Sequence, residues 1–417
     1  MKKKIWIWNH YATDMYFNEG GRHYWFAENL LKHEYEPTIF CANTRHNNDE
    51  IVNIERGKFK TAIKNKIPFV FIKTYPYSGN GKDRIKNMIS FYKNLFSVSK
   101  EYSKKAGKPD VILASSVHPL TLVAGIKIAK KFGVPCICEV RDLWPETLVA
   151  YGALKENTFF TKLLYAGEKW IYKKSDKLIF TMEGGKDYLI DKGWDKDSGG
   201  PIDLDKVFHI NNGVDFEVFN YNKENYVLND EDLDNPNYFK VIYAGSIRLV
   251  NNVKSIIDAA KEIKNLGVNN IKFILYGDGS DKKSLEEYCK EYNINNVIFK
   301  GLVDKKYVPS ILSKSDLNIF HFQQNNIKKY GASLNKMFEY FASGKPTISD
   351  CEFGYDIIKK FNCGFVIDNA TPEQLAEKII EISKMSQVEY QKYCDNALMA
   401  AKEYDFKILT EKLKKLF

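Results

Sequence analysis

The chain has 417 residues, 44% of them hydrophobic and 28% charged, with a formal net charge of +9. That is enough chain for two domains with separate cores. It is the composition of an ordinary soluble protein, with no apolar run approaching the roughly eighteen residues a membrane-spanning helix requires.

The start, Met-Lys-Lys-Lys-Ile-Trp-Ile-Trp, reads as a first strand, since its apolar run ends at Asn9 and His10 and is too short for a signal peptide. The seven cysteines (Cys41, Cys136, Cys138, Cys289, Cys351, Cys363 and Cys394) are scattered, several within apolar runs. Buried free thiols in a reducing cytosol are expected, and no spacing points to a metal site. Charge is uneven. Residues 1–200 hold 33 Lys/Arg against 22 Asp/Glu, and 56–108 hold 14 against 2. Phe69, Phe71, Tyr75, Tyr77, Phe91, Tyr92 and Phe96 are interleaved with that basic segment. It is either a solvated lysine-rich surface or a patch facing anionic lipid headgroups or a lipid-diphosphate. Nucleic acid is a weaker option, because no motif for it is present.

In chain order, a strand at 4–8 leads through a long loop, 10–21, to a helix at 22–31 that opens on Gly20-Gly21. Glycines between a first strand and its helix let a ligand approach the helix end, which favours an anion. This is not the G-x-G-x-x-G fingerprint, which disfavours a dehydrogenase. A strand at 37–42, a polar insert to about 66, a strand at 68–73 and a basic helix at 82–105 follow. Two apolar runs of the buried parallel kind come next, 110–115 and 134–140. The first ends at Ser-Ser-Val-His118-Pro, before a helix at 120–132; the second ends at Arg141-Asp142-Leu-Trp-Pro-Glu146. Strands alternating with helices predict a doubly wound parallel sheet with ligands at the carboxyl ends of its strands, which makes His118 and Asp142 candidates for substrate contact. Each also has a structural reading, His118 as a core histidine and Asp142 as the partner of Arg141.

A strand at 177–181 and a helix from about 183 lead to 207–215, and the polar stretch 216–236 marks a domain boundary. The second domain opens with a strand at 240–244, then Gly245-Ser246-Ile-Arg248 and a helix at 254–263. This is an anion cradle in which Arg248 offers a bidentate fork, or a plain turn with a solvated arginine. Strands at 271–276, ending at Gly277, and at 297–303, ending at Val303, follow. Ser333 suits an N-cap for a helix to about Phe341, ended by Gly344 and followed by a strand from Pro346. Ser333, Lys336 and Glu339 then share one helical face. Such a face holds a diphosphate at the helix start, with Lys336 adding charge and Glu339 suited to ribose hydroxyls; the alternative is a merely solvated face. Helices at 372–384, 387–403 and 406–416 close the chain. Asp-x-Asp triplets at 195–197, 203–205 and 232–234 lie in polar loops and are not read as metal sites.

Three segments resemble the retaining glycosyltransferases of family 4: 139–146, 241–254 and 331–348. The last keeps Ser333, Lys336, Glu339, Gly344, Pro346 and Ile348 of that family's pattern, but has Gly331 at the first Glu position and Leu334 at the Pro position. The segment Glu-x-Arg-Asp-Leu-Trp-Pro-Glu is similar to bacterial capsule and O-antigen transferases, including the N-acetylfucosamine transferase subgroup. The resemblance implies an α/β protein of the GT-B fold, two Rossmann-like doubly wound domains facing across a cleft. It implies an acceptor-side domain at 1–215, on which a helix at about 404–417 packs back, and a nucleotide-sugar domain at 216–403. It implies a UDP-sugar donor, used as a substrate with no cofactor and no metal, and contacted by Gly21, Gly245, Ser246, Arg248, Gly277, Val303, Ser333, Leu334, Lys336 and Glu339. His118, Asp142, Lys336 and Arg248 would be catalytic. The acceptor would be a lipid-diphosphate-linked saccharide at the inner face of the cell membrane, with no nucleic-acid partner. A UDP-N-acetylglucosamine 2-epimerase of the same fold and a non-catalytic nucleotide-binding module are the alternatives. An assay without acceptor separates the first, and UDP binding without turnover the second.

Overall fold

A computed structural model describes residues 2–45, 50–79 and 81–417. The chain forms two units, Met1–Asn211 with Phe406–Phe417, and Asn212–Asp405.

The first unit runs β1 (Lys3–Trp8), α1 (Thr13–Asn18), α2 (Arg22–Leu31), β2 (Tyr35–Ala42), β3 (Phe59–Lys64), β4 (Ile67–Ile72), α3 (Lys82–Ala106), β5 (Val111–Ser115), α4 (Pro119–Phe132), β6 (Cys136–Val140), α5 (Glu146–Ala150), α6 (Phe159–Lys174), β7 (Lys177–Phe180), α7 (Gly185–Asp191) and β8 (Val207–His209). Its sheet has the order β3-β4-β2-β1-β5-β6-β7-β8. The pairs are parallel except β3 with β4. The apolar runs of β1, β5 and β6 are covered on both faces, with Trp6 and Trp8 fully buried, so these strands hold the centre. The stretch to 66, expected as a polar insert, contains β3 instead. Asn65 and Lys66 both take positive φ (47° and 68°), the two-residue hairpin turn that pairs β3 with β4. Half of the side chains of β3 are exposed and none is buried, and its lysines blunt the sheet edge. The loop expected at 10–21 likewise contains the short helix α1.

The second unit continues with α8 (Phe216–Asn225), α9 (Glu231–Asp234), β9 (Phe239–Ala244), α10 (Val253–Asn265), β10 (Ile271–Tyr276), α11 (Lys282–Glu291), β11 (Val297–Gly301), α12 (Val308–Ser313), β12 (Leu317–Phe320), α13 (Asn335–Ala342), β13 (Thr347–Ser349), α14 (Ile357–Phe361), β14 (Gly364–Val366), α15 (Pro372–Ser383) and α16 (Gln387–Glu403). Its strands are all parallel, in the order β11-β10-β9-β12-β13-β14. The polar stretch 216–236, expected to mark the domain boundary, is folded into the second unit. Asp215 caps α8 by accepting from Val218 N at 2.8 Å, and Phe219 and Leu233 are buried. The division between the units therefore falls earlier, after Asn211. The last helix, α17 (Phe406–Lys414), belongs to the first unit, where Phe406 packs edge-on against Phe26 of α2 at 5.4 Å between ring centroids. In each sheet the strand order reverses beside the first strand, at β1/β5 and at β9/β12, and a crevice at the strand carboxyl ends is the ligand position for such sheets. All seven cysteines are buried free thiols.

Candidate active site

In the second unit, three strand ends are locked together by close backbone approach. Gly245 N donates to Tyr276 O at 3.0 Å, and Gly277 N to Gly301 O at 2.8 Å. Gly277 has φ +137°, and a Cβ there would lie 1.8 Å from Gly245 O, so only glycine allows the ends of β9 and β10 to meet. Beyond this tier, Ser246 accepts from Asn251 at both its carbonyl and its hydroxyl (2.9 and 2.8 Å). Arg248 is exposed, and its guanidinium makes no hydrogen bond or ion pair among the described residues. Val303 follows β11 and is half-buried.

α13 aims its polar face at the same strand ends. The Tyr340 hydroxyl accepts from Ala244 N (2.9 Å) and reaches Ala244 O (3.3 Å), which fixes the helix against the end of β9. One turn earlier, Lys336 Nζ lies 2.9 Å from Asn251 Oδ1 and 4.9 Å from the centre of the Tyr243 ring. Among the described residues no carboxylate pairs with it, and burial pushes its pKa down to about 8. Glu339 is half-buried, with Lys305 Nζ at 3.5 Å as its partner; Lys305 is itself mostly exposed, so the pair is weak.

Ser333 does not cap this helix. The N-cap is Leu334, without a side-chain cap bond, and the helix begins at Asn335. The Ser333 hydroxyl and carbonyl instead accept from Asn212, N and Nδ2, at 3.0 and 2.8 Å. Held in this way, Ser333 is spent on the loop that positions α13, a demand set by Asn212, which is distant in sequence. The same rim carries a buried pair absent from the sequence reading, His321 against the Asp350 carboxylate, with His321 Nε2 3.1 Å from Asn252 Nδ2. Its sequence signal, a histidine after the run 317–320 and an aspartate after 347–349, is that of any strand end.

In the first unit, the candidates also lie at strand carboxyl ends. Gly21 is the N-cap of α2 with φ +108°. Asp142 is exposed just past β6; crowding by protein raises its pKa, and Arg141 partly offsets this. Glu146, at the other end of that motif, is committed to Lys192 and to the Tyr165 hydroxyl.

Two buried networks surround these residues, and most of their members were not singled out by sequence. Glu139, fully buried at the end of β6, takes Arg22 Nη2 at 2.7 Å, His23 Nε2 at 3.0 Å and the Ser115 hydroxyl at 2.8 Å. Burial alone would raise its pKa, but Arg22 and His23 outweigh that and hold it well below the usual carboxylate range. Arg22 also donates to Ile210 O at 2.9 Å, tying the start of α2 to the strand end of β8. The available signal was a carboxylate inside the apolar run 136–140.

The second network ends at His118, the N-cap of α4, and its bond directions can be followed link by link. Asn87 Nδ2 lies 2.6 Å from Tyr75 O, which only accepts, so the amide nitrogen is identified. Asn87 Oδ1 therefore accepts from His10 Nε2 at 2.6 Å. If the His10 ring is neutral, its Nδ1 accepts from His118 Nε2, also at 2.6 Å. The remaining ring nitrogen, His118 Nδ1, is a buried lone pair with no partner among the described residues. Burial and the charge of Arg84 push the His118 pKa down to about 3, so the ring is neutral. It is a ready acceptor for a hydroxyl or amide N–H. Long-range ¹⁵N correlation spectra should show His118 as the Nε2–H tautomer throughout roughly pH 5–8. An Nδ1–H signal would break the chain of directions.

Of the Asp-x-Asp triplets, Asp232 pairs with Lys300 (2.6 Å), which also holds Asp230 just before the triplet (2.8 Å); Asp234 pairs with Lys314 and Asp203 with Lys196. Among the described residues no group of three or more His, Cys, Asp or Glu is placed to hold a metal ion.

Two glycosyltransferase family models match successive parts of the chain. The family model described as "Glycosyltransferase Family 4" matches residues 24–218, and that described as "Glycosyl transferases group 1" matches residues 229–399. The protein named "Probable glycosyltransferase WbjE" of Pseudomonas aeruginosa is 24% identical over 299 residues, 70% of each chain. Among solved structures, Anabaena HepE in complex with UDP and glucose is similar over 99% of both chains, with TM-score 0.66 and 14% identity. WaaG, a glycosyltransferase involved in lipopolysaccharide biosynthesis, is similar over 99% of both chains, with TM-score 0.66 and 15% identity. Two parallel-sheet units, each matched by a glycosyltransferase family model, identify the chain as a glycosyltransferase of the GT-B fold, in the group 1 and family 4-like class.

Proposed function

We propose that the chain moves a sugar from a UDP-sugar, with N-acetylated amino sugars among the candidates, to a lipid-diphosphate-linked saccharide in bacterial capsule or O-antigen assembly. Lys336 carries the reading: a cation with no acid against it among the described residues, at the strand ends of the second unit, in the same rim as Arg248. Transfer at the anomeric carbon puts negative charge on the departing diphosphate, and stabilising that charge is the main electrostatic task. Lys336 and Arg248 would do this without a metal or cofactor. Gly21, Gly245, Ser246, Gly277, Val303, Ser333 and Leu334 would line the donor, and Glu339 would accept from its ribose. His118 and Asp142 would contact the reacting sugar or acceptor, and retention of configuration follows from the family resemblance. The UDP in the HepE structure and the lipopolysaccharide role in the name of WaaG support the donor and the pathway class. The basic segment 56–108 supports an acceptor at the inner, anionic membrane face, with the enzyme peripheral to it. The 2-epimerase alternative is not favoured, since both matching family models are those of glycosyltransferases.

Calorimetric titration with UDP in EDTA tests the donor site. Wild type should bind in the micromolar range, and Glu339→Ala should weaken binding by about tenfold, the worth of one hydrogen bond to a charged group. No binding by wild type would overturn the donor reading.

A further inference from the structure

α6 (Phe159–Lys174) has a buried inward side and an exposed apolar stripe on the side opposite to it. Its inward side carries Thr161, Glu168, Ile171 and Tyr172, all buried. Residues of a helix step by about 100°, so Phe159, Leu163, Ala166 and Trp170 fall within about 60° of one another on the opposite side. That stripe faces water: Phe159 is 85% exposed, Leu163 58% and Trp170 37%, with Phe160 beside it at 56%. It runs most of the helix's length, about 24 Å. Isolated exposed apolar residues are ordinary, but a contiguous stripe of this kind marks an interaction surface.

Charge indicates what covers it. Lys162, Lys173 and Lys174 are exposed along the borders of the stripe. The one acid of the helix, Glu168, points inward and accepts from the hydroxyls of Tyr172 and Tyr188 at 2.6 and 2.8 Å. The outer face is therefore apolar and cationic with no acid of its own; Glu156, in the preceding loop, is accompanied by Lys155. Phe, Leu and Trp in a stripe with lysines at its edges is the pattern of a helix lying in the bilayer interface. No helix among the described residues is long and apolar enough to cross a membrane, so contact of this kind would be peripheral.

We propose that the outer face of α6 docks on an anionic phospholipid surface, with Phe159, Phe160, Leu163 and Trp170 entering the headgroup boundary and Lys162, Lys173 and Lys174 meeting the lipid charges. The proposal rests on the reading of the acceptor as membrane-borne, and it replaces the general charge of segment 56–108 with a defined contact.

Co-sedimentation of the full chain with phosphatidylglycerol-rich and with pure phosphatidylcholine vesicles tests it. Wild type should bind the anionic vesicles, less as salt rises, and bind the neutral ones weakly. Phe159→Ser/Leu163→Ser/Trp170→Ser should weaken binding by about tenfold or more. Lys162→Gln/Lys173→Gln/Lys174→Gln should do so by a similar factor on anionic vesicles alone. Because these side chains face water, both variants should keep the wild-type thermal transition. A cysteine at Leu163, labelled selectively because the native thiols are buried, should report transfer of its dye to an apolar medium.

If the α6 variants bind like wild type while Lys82→Gln/Lys86→Gln/Lys93→Gln does not, the membrane reading stands and the assignment to α6 is overturned. If wild type ignores anionic vesicles, the membrane reading itself fails. If sedimentation velocity shows a dimer that the serine variant dissolves, with vesicle binding unchanged, the stripe is a self-interface and the proposal is overturned.

Discussion

Lys336→Met is expected to lower kcat/KM for sugar transfer by about 100-fold or more, the scale seen when a preorganised group loses its hold on developing negative charge. Methionine keeps the length and packing of the stem and removes only the cation. Tyr340, one turn on, still fixes α13 to Ala244, so the fold should be unaffected. The effect should be carried mainly by kcat if the charge acts chiefly on the leaving diphosphate. Proton linkage provides a second readout. In the free protein burial holds the Lys336 pKa down at about 8, and a bound diphosphate would raise it. UDP affinity of the wild type should therefore be constant below that pH and fall as pH rises through about 8. In Lys336→Met this fall should be absent. A variant with wild-type kcat/KM, or with the same pH dependence, would remove Lys336 from the mechanism.

Glu139→Ala should destabilise the first unit by about 3–5 kcal/mol, because it leaves the buried guanidinium of Arg22 without its counter-charge. Glu139→Gln keeps the shape without the charge and should lie between that variant and wild type. The sign with pH follows from the depressed pKa of Glu139. Its stabilising contribution is fully present above the unfolded value of about 4.3 and is lost as pH falls toward the lower, folded one. Urea unfolding followed by tryptophan fluorescence should show a large gap between variant and wild type at neutral pH that narrows in acid. A gap below about 1 kcal/mol would mean that Arg22 finds other partners. Activity should fall as well, since Arg22 follows Gly21 directly and holds Ile210 O, so the loop at the start of α2 depends on it.

The strands and helices of both sheets were legible because their patterns are local. Uninterrupted apolar runs such as 110–115 give central parallel strands, and Gly344 and Gly133 mark helix ends with positive φ. Elements were missed where the signal depended on a partner. β3 reads as a polar insert until β4 is placed beside it, because an edge strand needs only one apolar neighbour. The stretch 216–236 reads as a domain boundary by composition, but a cap at Asp215 and the burial of Phe219 and Leu233 fold it into the second unit.

The same boundary runs through the site. Lys336 and Glu339 could be placed together from sequence because three residues along a helix return to nearly the same side. Gly277 could be flagged as a turn, but not as the point where Gly245 O comes too close for any side chain. Ser333 has the residue type of a cap, and nothing local revealed that Asn212, 121 positions away, would occupy it. His118 stood out as a lone histidine after a strand, while His10 and Asn87, which give its ring nitrogens distinct roles, lie 108 and 77 residues from their partners in that chain of bonds. The sequence by itself determined periodicity, strand ends and the residue types able to meet a diphosphate, because those follow from local backbone geometry and side-chain chemistry. Only the tertiary structure decided which polar groups are already paired and which are not, because hydrogen bonds and buried charges are satisfied in space, between elements that sequence distance does not relate.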